Sequence, residues 1–338
     1  MNKVLVTGGS GYIGSHVVLS LIESDYEVVI LDNLSNSNKI SLERVSDICG
    51  VKPKFYEGDI TDSKFLNFVF SQESIESVIH LAGLKSVSES VEEPLKYYKN
   101  NVYGSLQLFM AMKSFDIKKV VFSSSATIYG APSELPLKET SDKQIPSNPY
   151  GITKSIIENM LEGIYSSNEE WGIINLRYFN PVGAHKSGKL GEDSKGIPNN
   201  IMPYISQTAL GKFPKVLIFG NDYDTPDGTG VRDYVHVIDL AKAHVKALQK
   251  INQTHGQFNV NIGTGKGYSV LELIKEFKQV SKADIPYEIT SRRAGDIAEV
   301  YADSSYAYDL LGWKAEMGLT EMCNDTWNWQ KNNPNGYV

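Results

Sequence analysis

Cysteine is scarce in this chain, basic clusters are missing and no long apolar run occurs, and each shortage removes a class of function. Only two cysteines stand among 338 residues, Cys49 and Cys323. They have no metal-ligand spacing and no evident reason to pair, so a cytoplasmic location is expected. The six histidines include no His-x-x-x-His or His-Glu-x-x-His pattern, which speaks against a metal site. No apolar stretch is long enough to span a bilayer, so no membrane partner is expected. The opening Lys3-Val4-Leu5-Val6-Thr7-Gly8 reads as a strand entering a glycine turn rather than as a leader. A net charge of −7 without a basic block argues against a nucleic-acid partner. An anionic substrate would have to be met by a few placed cations.

What is present is the composition of an ordinary globular protein, 41% hydrophobic and 22% charged, with length enough for two domains. The first half alternates short apolar runs with helical patterns. Val4–Val6, Glu27–Leu31, Lys54–Tyr56, Ser77–Leu81, Lys119–Phe122 and Ile173–Leu176 are rich in branched residues and nearly continuous in hydrophobicity. That pattern suits a parallel sheet covered on both faces. Strands separated by helices imply right-handed crossovers, hence an α/β fold with a doubly wound parallel Rossmann sheet. After about Asn180 the texture changes. Pro181–Pro203 and Gly220–Gly230 are long polar loops, and such loops commonly cover a site. The reading is an N-terminal Rossmann domain over residues 1–180 and a smaller α/β substrate-binding domain over 181–338. Gln257–Ile262 is a segment that could return to the first sheet.

The glycine loop Gly8-Gly9-Ser10-Gly11-Tyr12-Ile13-Gly14 follows a strand and opens a helix, the context a dinucleotide site requires. Glycines allow a tight turn and close approach of a pyrophosphate to a helix N-terminus. Asp32 ends the second strand. A carboxylate there accepts from adenosine ribose hydroxyls and repels a 2′-phosphate, which favours NAD over NADP. Asp59, after the third strand, is within reach of the adenine. Further along, Tyr150 and Lys154 are four residues apart and share a face if the segment is helical. Ser125 lies upstream. A tyrosine is a poor base at neutral pH, since its reference pKa is about 10. Lowering it to about 7 needs roughly 4 kcal/mol, which a lysine ammonium and an oxidised nicotinamide ring together could supply.

These motifs identify the chain as resembling the extended short-chain dehydrogenase/reductase family, and within it the UDP-hexose 4-epimerases of the UDP-galactose 4-epimerase type. The likeness is carried by Val6–His16, Leu31-Asp32-Asn33-Leu34, His80–Lys85, Ser123–Gly130 and Tyr150–Lys154. In the second half it is carried by Leu176–His185, residues 196–203 and Asp227–His236. It implies that Tyr150 acts as the base on the sugar 4-hydroxyl, that Ser125 holds the reacting oxygen and that Lys154 lowers the tyrosine pKa. It also implies an NAD held tightly by Gly8, Gly11, Tyr12, Ile13, Gly14, Asp32, Asn33, Asp59, Ile60, Leu81, Ala82, Lys85, Asn100, Tyr150, Lys154 and Tyr178. The UDP-sugar would meet Ser125, Asn180, Asn200, Phe219, Arg232, Arg293, Asp296 and Val300, and the enzyme would be a homodimer built on helices around Tyr97–Lys113 and Tyr150–Tyr165.

One position departs from the pattern. Val300 stands where glucose/galactose-restricted members carry a tyrosine, and the resemblance puts that side chain beside the sugar C2 substituent. A valine leaves room for an N-acetyl group, so UDP-GlcNAc and UDP-GalNAc are expected substrates alongside UDP-glucose and UDP-galactose. Restriction to the plain hexoses is the alternative. A 4,6-dehydratase would carry an Asp-Glu pair after Ser125, where this chain has Ala126-Thr127. An NAD-binding regulator is the reading from another class, but such proteins tend to lose the tyrosine or the lysine.

Overall fold

The structure, a computed structural model, describes residues 2–193, 196–198, 200–293 and 296–338. In the first half the strands are β1 (Lys3–Thr7), β2 (Glu27–Asp32), β3 (Lys54–Glu57), β4 (Ser77–His80), β5 (Lys119–Ser125) and β6 (Gly172–Tyr178). Beyond them come β7 (Asn180–Val182), β8 (Val216–Phe219), β9 (Val231–His236), β10 (Gly256–Ile262), β11 (Gly267–Ser269), β12 (Tyr287–Thr290) and β13 (Glu299–Val300). Seven of these form one parallel sheet in the order β10-β6-β5-β4-β1-β2-β3. Strand order reverses between β1 and β4, and the carboxyl ends there are where a doubly wound sheet binds its ligand.

Continuous hydrophobicity buries these strands on both faces: Val4, Leu5 and Val6 of β1 are fully buried. One face packs against the helices Tyr12–Ile22 and Val237–Gln253, through residues such as Val18, Leu21, Leu240 and Leu248. The other packs against Ser63–Gln72, Gly104–Ser114 and Pro149–Ser167, through Leu66, Leu108, Ile157 and Leu161. The segment Gly256–Ile262 completes the first sheet, in register with Gly172–Tyr178. Its neighbouring helix Val237–Gln253 belongs to the same core. The first layer is therefore assembled from both halves of the chain.

A separate core built on Met202, Ile205, Ile218, Tyr234, Phe277 and Met322 holds the second region. There β9 carries β11 antiparallel on one side and the short β13 and β7 in parallel, while β8 pairs with β12. These strands are two to six residues long. Among the described residues no helix is long and apolar enough to cross a membrane.

Candidate active site

The three serines that end β5 organise the site. The helix Pro149–Ser167 starts beside them, capped by Asn148, whose Oδ1 accepts from the Gly151 amide at 2.9 Å, with Pro149 in its first turn. Lys154 Nζ donates to the Ser123 carbonyl at 2.6 Å. Ser124 Oγ donates to Glu158 Oε1 at 2.6 Å. Ser125 Oγ accepts from Thr127, whose hydroxyl lies 3.0 Å away, and is the side chain whose proximity favours the Tyr150 phenolate. Tyr150, Lys154 and Glu158 follow one another at four-residue spacing, so one helix face meets one strand end. Ser125, Tyr150 and Lys154 thus lie together where the helix meets the end of β5.

Electrostatics shows what burial alone does to this pair. Burial pushes the Tyr150 phenol above its ordinary value, while Ser125 pulls the other way. Burial also pushes the Lys154 ammonium down to about 7, opposed by the charge of Glu158. Lys154 therefore does not bring the phenol down unaided, because the same dry pocket that sharpens its charge also disfavours it. Its Nζ sits 5.8 Å from the Tyr150 ring centre and 4.9 Å from that of Phe122.

The glycine loop is a cradle closed to side chains at Gly8 and Gly14. A Cβ on Gly14 would stand 2.1 Å from the Gly8 carbonyl oxygen. Gly8 has φ +73°, and its Cβ would meet the Ala82 amide nitrogen at 2.7 Å. The helix Tyr12–Ile22 has Gly11 at its N-cap and no side-chain cap, so its first amides face whatever lies in the loop. Ser10 Oγ is buried there without a partner. Ile13 shares the first turn, and Tyr12 sends its hydroxyl to the Gly183 carbonyl at 2.7 Å. Asp32, expected at the adenosine ribose, accepts from the amides of Ser10 and Leu34 at 3.0 and 2.9 Å and from Ser37 Oγ at 2.9 Å, so it also anchors the glycine loop. Asn33 donates to Asp59 at 2.8 Å, with buried Ile60 next in sequence.

At the end of β4 the loop through Leu81 and Ala82 is held by a residue the sequence reading passed over. Asn101, 1% exposed, accepts from the Leu84 amide at 2.8 Å and donates to the Leu84 carbonyl and to Thr153 Oγ1 at 3.0 and 3.1 Å. Thr153 in turn donates to the Tyr150 carbonyl at 2.7 Å. Asn101 sits in a π-helical turn, Tyr98–Tyr103, a distortion often found at functional sites. The expected Asn100 donates to Asn101 Oδ1 at 2.9 Å. Tyr178 ends β6, and its hydroxyl is held by the buried His244 ring.

The residues expected to hold substrate lie on the second region. Arg293 stacks over Phe219, 4.5 Å from the ring centre, and donates to Asp296 at 3.1 Å. Arg232 pairs in register with Val300 and donates to the Val231 carbonyl at 2.9 Å. Val300 packs against the cluster of Ile128, Tyr129, Leu137, Phe179 and Ala302. Asn180 is exposed on β7. Asn200 and Lys85 both bond Glu192 Oε1, at 2.8 and 3.0 Å. A cavity of about 530 Å³ lies between Ala131, Gln144, Ile145 and Ser147 on one side and Asp296 and Ile297 on the other. None of the three catalytic candidates lines it. Asn199, Ala294 and Gly295, which complete two of the motifs, lie outside the described residues. Among the described residues no cluster of His, Cys, Asp and Glu could hold a metal ion.

Comparison with known proteins places this geometry. The family model for GDP-mannose 4,6 dehydratase matches residues 5–326. A UDP-glucose 4-epimerase of Bacillus subtilis is 53% identical over 334 residues, covering 99% of this chain and 98% of that protein. A crystal structure of UDP-glucose 4-epimerase from Bifidobacterium longum, in complex with NAD+ and UDP, superposes with a TM-score of 0.97 at 50% identity, covering 99% and 100% of the two chains. The UDP-Glc/GlcNAc 4-epimerase of Campylobacter jejuni superposes with a TM-score of 0.85 at 36% identity, covering 98% and 100%.

Proposed function

Because this chain belongs to the extended short-chain dehydrogenase/reductase family, in its UDP-glucose 4-epimerase branch, we propose that it interconverts the C4 epimers of UDP-hexoses using a tightly held, regenerated NAD. The observation that carries this reading is the joint placement of Ser125, Tyr150 and Lys154 at the end of β5.

The cofactor loop fits a dinucleotide. Uncapped helix amides and the unpartnered Ser10 hydroxyl are suited to a pyrophosphate, and the space at Gly8 and Gly14 is closed to any side chain. When bound, NAD supplies an acceptor for the C4 hydride and gives it back. Tyr150 takes the proton of the 4-hydroxyl, and Ser125 holds the same oxygen. Lys154, fixed on the Ser123 carbonyl, gives the pocket a positive charge that favours the phenolate. Tyr150 returns its proton after the 4-keto sugar has turned its other face. The dehydratase named by the family model needs an acid after the serine; here Thr127 fills that place and bonds Ser125.

For the nucleotide half, the Phe219 ring suits a pyrimidine base, with Asp296, the partner of Arg293, for the ribose. Arg232 and Arg293 suit the diphosphate because a guanidinium meets phosphate oxygens in pairs. Lys85, Asn180 and Asn200 complete the proposed contacts. We propose further that Val300 leaves room for an acetamido group, so that UDP-GlcNAc and UDP-GalNAc are substrates too. A homodimer is proposed through the helices over residues 97–113 and 150–165; exposed Tyr103, Leu106 and Met110 on the first of them support it.

The test is incubation of the purified protein, without added NAD, with UDP-glucose and separately with UDP-GlcNAc, resolving epimers by chromatography. Conversion of both supports the full reading. Conversion of UDP-glucose alone overturns the N-acetyl part, and conversion of neither, with NAD supplied, overturns the epimerase assignment.

A further inference from the structure

One turn beyond Lys154 on the same helix, Glu158 is 2% exposed and has more charged partners than a structural residue needs. Its carboxylate receives Arg177 Nε at 3.0 Å and Nη2 at 2.8 Å, a two-pronged pair in which the arginine is fully buried. Lys143, from the loop leading into the catalytic helix, reaches the same carboxylate at 2.9 Å. Ser124 closes the fourth bond at 2.6 Å. Arg177 is itself fixed by the Tyr129 hydroxyl at 2.9 Å and the Glu139 carbonyl at 3.1 Å. Glu158 is thus the node joining the catalytic helix, the serine end of β5, β6 and the loop before Tyr150.

We propose that Glu158 is a positioning residue acting through Lys154: held by Arg177, it pins the catalytic helix to β5 and supplies the counter-charge that keeps Lys154 an ammonium. The groups around Lys154 leave little else for that task. On its own helix are Tyr150 and Glu158. From β5 come the Ser123 carbonyl and the Phe122 ring. From β4 comes His80, kept neutral by burial between Thr7 and Ser105. From β6 comes Arg177, and from the loop Lys143, both positive and both paired with Glu158. Among these groups Glu158 is the one whose charge favours the Lys154 ammonium against burial. Burial disfavours its own carboxylate, but Arg177, Lys143 and Ser124 outweigh that and hold it ionised.

The inference rests on the epimerase reading for its kinetic arm only. Isotope-labelled lysine NMR, with the Lys154 signal assigned by its loss in Lys154→Met, follows the ammonium without turnover. In Glu158→Gln the Lys154 titration is expected about one pH unit lower than in wild type, and kcat about tenfold lower above neutral pH with KM within about twofold. Glu158→Asp keeps the charge and restores the titration. Lys143→Met, at an exposed partner, removes a positive charge from the Glu158 carboxylate and moves the titration the opposite way, upward; it also serves should Glu158→Gln fail to fold. An unchanged Lys154 titration in Glu158→Gln, or in Lys143→Met, overturns the proposal. Wild-type epimerisation with wild-type pH dependence in Glu158→Gln sinks this proposal alone, whereas a wild type that epimerises nothing sinks the reading beneath it.

Discussion

Lys154 donates to the Ser123 carbonyl at 2.6 Å, and that bond decides where the charge of the site stands. A lysine head normally roams over several ångströms; this one is 5% exposed and tied to the strand that also carries Ser125. The Tyr150 phenol is the group closest in function to that charge, and burial alone would leave it a poor base.

Tyr150→Phe removes the proton acceptor and keeps the ring. Its kcat on UDP-glucose should fall about a thousandfold, within the range for loss of a general base, with KM changed little. Steady-state kinetics on the two proteins checks this. A loss in KM instead would make Tyr150 a binding residue.

Gly14→Ala places a methyl 2.1 Å from the Gly8 carbonyl oxygen, and backbone cannot yield as a side-chain tip can. The expected outcome is a protein that folds less stably and is purified with little or no nicotinamide nucleotide. Acid release and spectrophotometric assay of the bound nucleotide measure it. A wild-type content would mean that the loop is not the cofactor cradle.

Val300→Tyr tests the proposed room for an acetamido group. Activity on UDP-GlcNAc should fall at least about tenfold, the order that steric misfit in a pocket yields, while activity on UDP-glucose is retained. Comparison of kcat/KM for the two substrates decides it. An equal change on both removes Val300 from specificity.

Three fully buried histidines make stability depend on pH. Burial lowers His16 and His80 to about 3 and His244 to about 4. Unfolded histidine takes up its proton near pH 6.5, as the folded groups do not, so stability is full above about 6.5 and falls as pH drops below it. Each group contributes up to ~1.4 kcal/mol per pH unit in that window. Urea midpoints should therefore decline steeply between about pH 7 and about pH 5; a flat profile would mean that these rings are protonated in the fold.

The parts legible in the sequence were those written in local pattern. The glycine loop between a strand and a helix, Asp32 at the next strand end and the Tyr150–Lys154 spacing all survive without knowledge of tertiary contacts. The shared first layer was harder to read, because β10 pairs with β6 across a gap that includes β7, β8 and β9 of the second region. Strands as short as Glu299–Val300 carry no periodicity to detect. Asn101 escaped because a π-helical turn breaks the regular helical spacing around Tyr98–Tyr103. Glu158 had a signal, its four-residue spacing from Lys154, but a Lys-to-Glu step on a helix ordinarily marks a solvated face. Only the burial of Arg177 in a strand reveals otherwise.

The central claim is transient oxidation at C4, and labelled substrate tests it most directly. UDP-glucose carrying deuterium at C4 is incubated with the purified protein, no nicotinamide added, and the UDP-galactose formed is examined by mass spectrometry and NMR. The account predicts that the product keeps the deuterium at C4, on the opposite face, because the site takes it up and returns it within one turnover. Loss of the label to solvent would contradict it, since inversion would then proceed by proton exchange at carbon rather than through a 4-keto sugar.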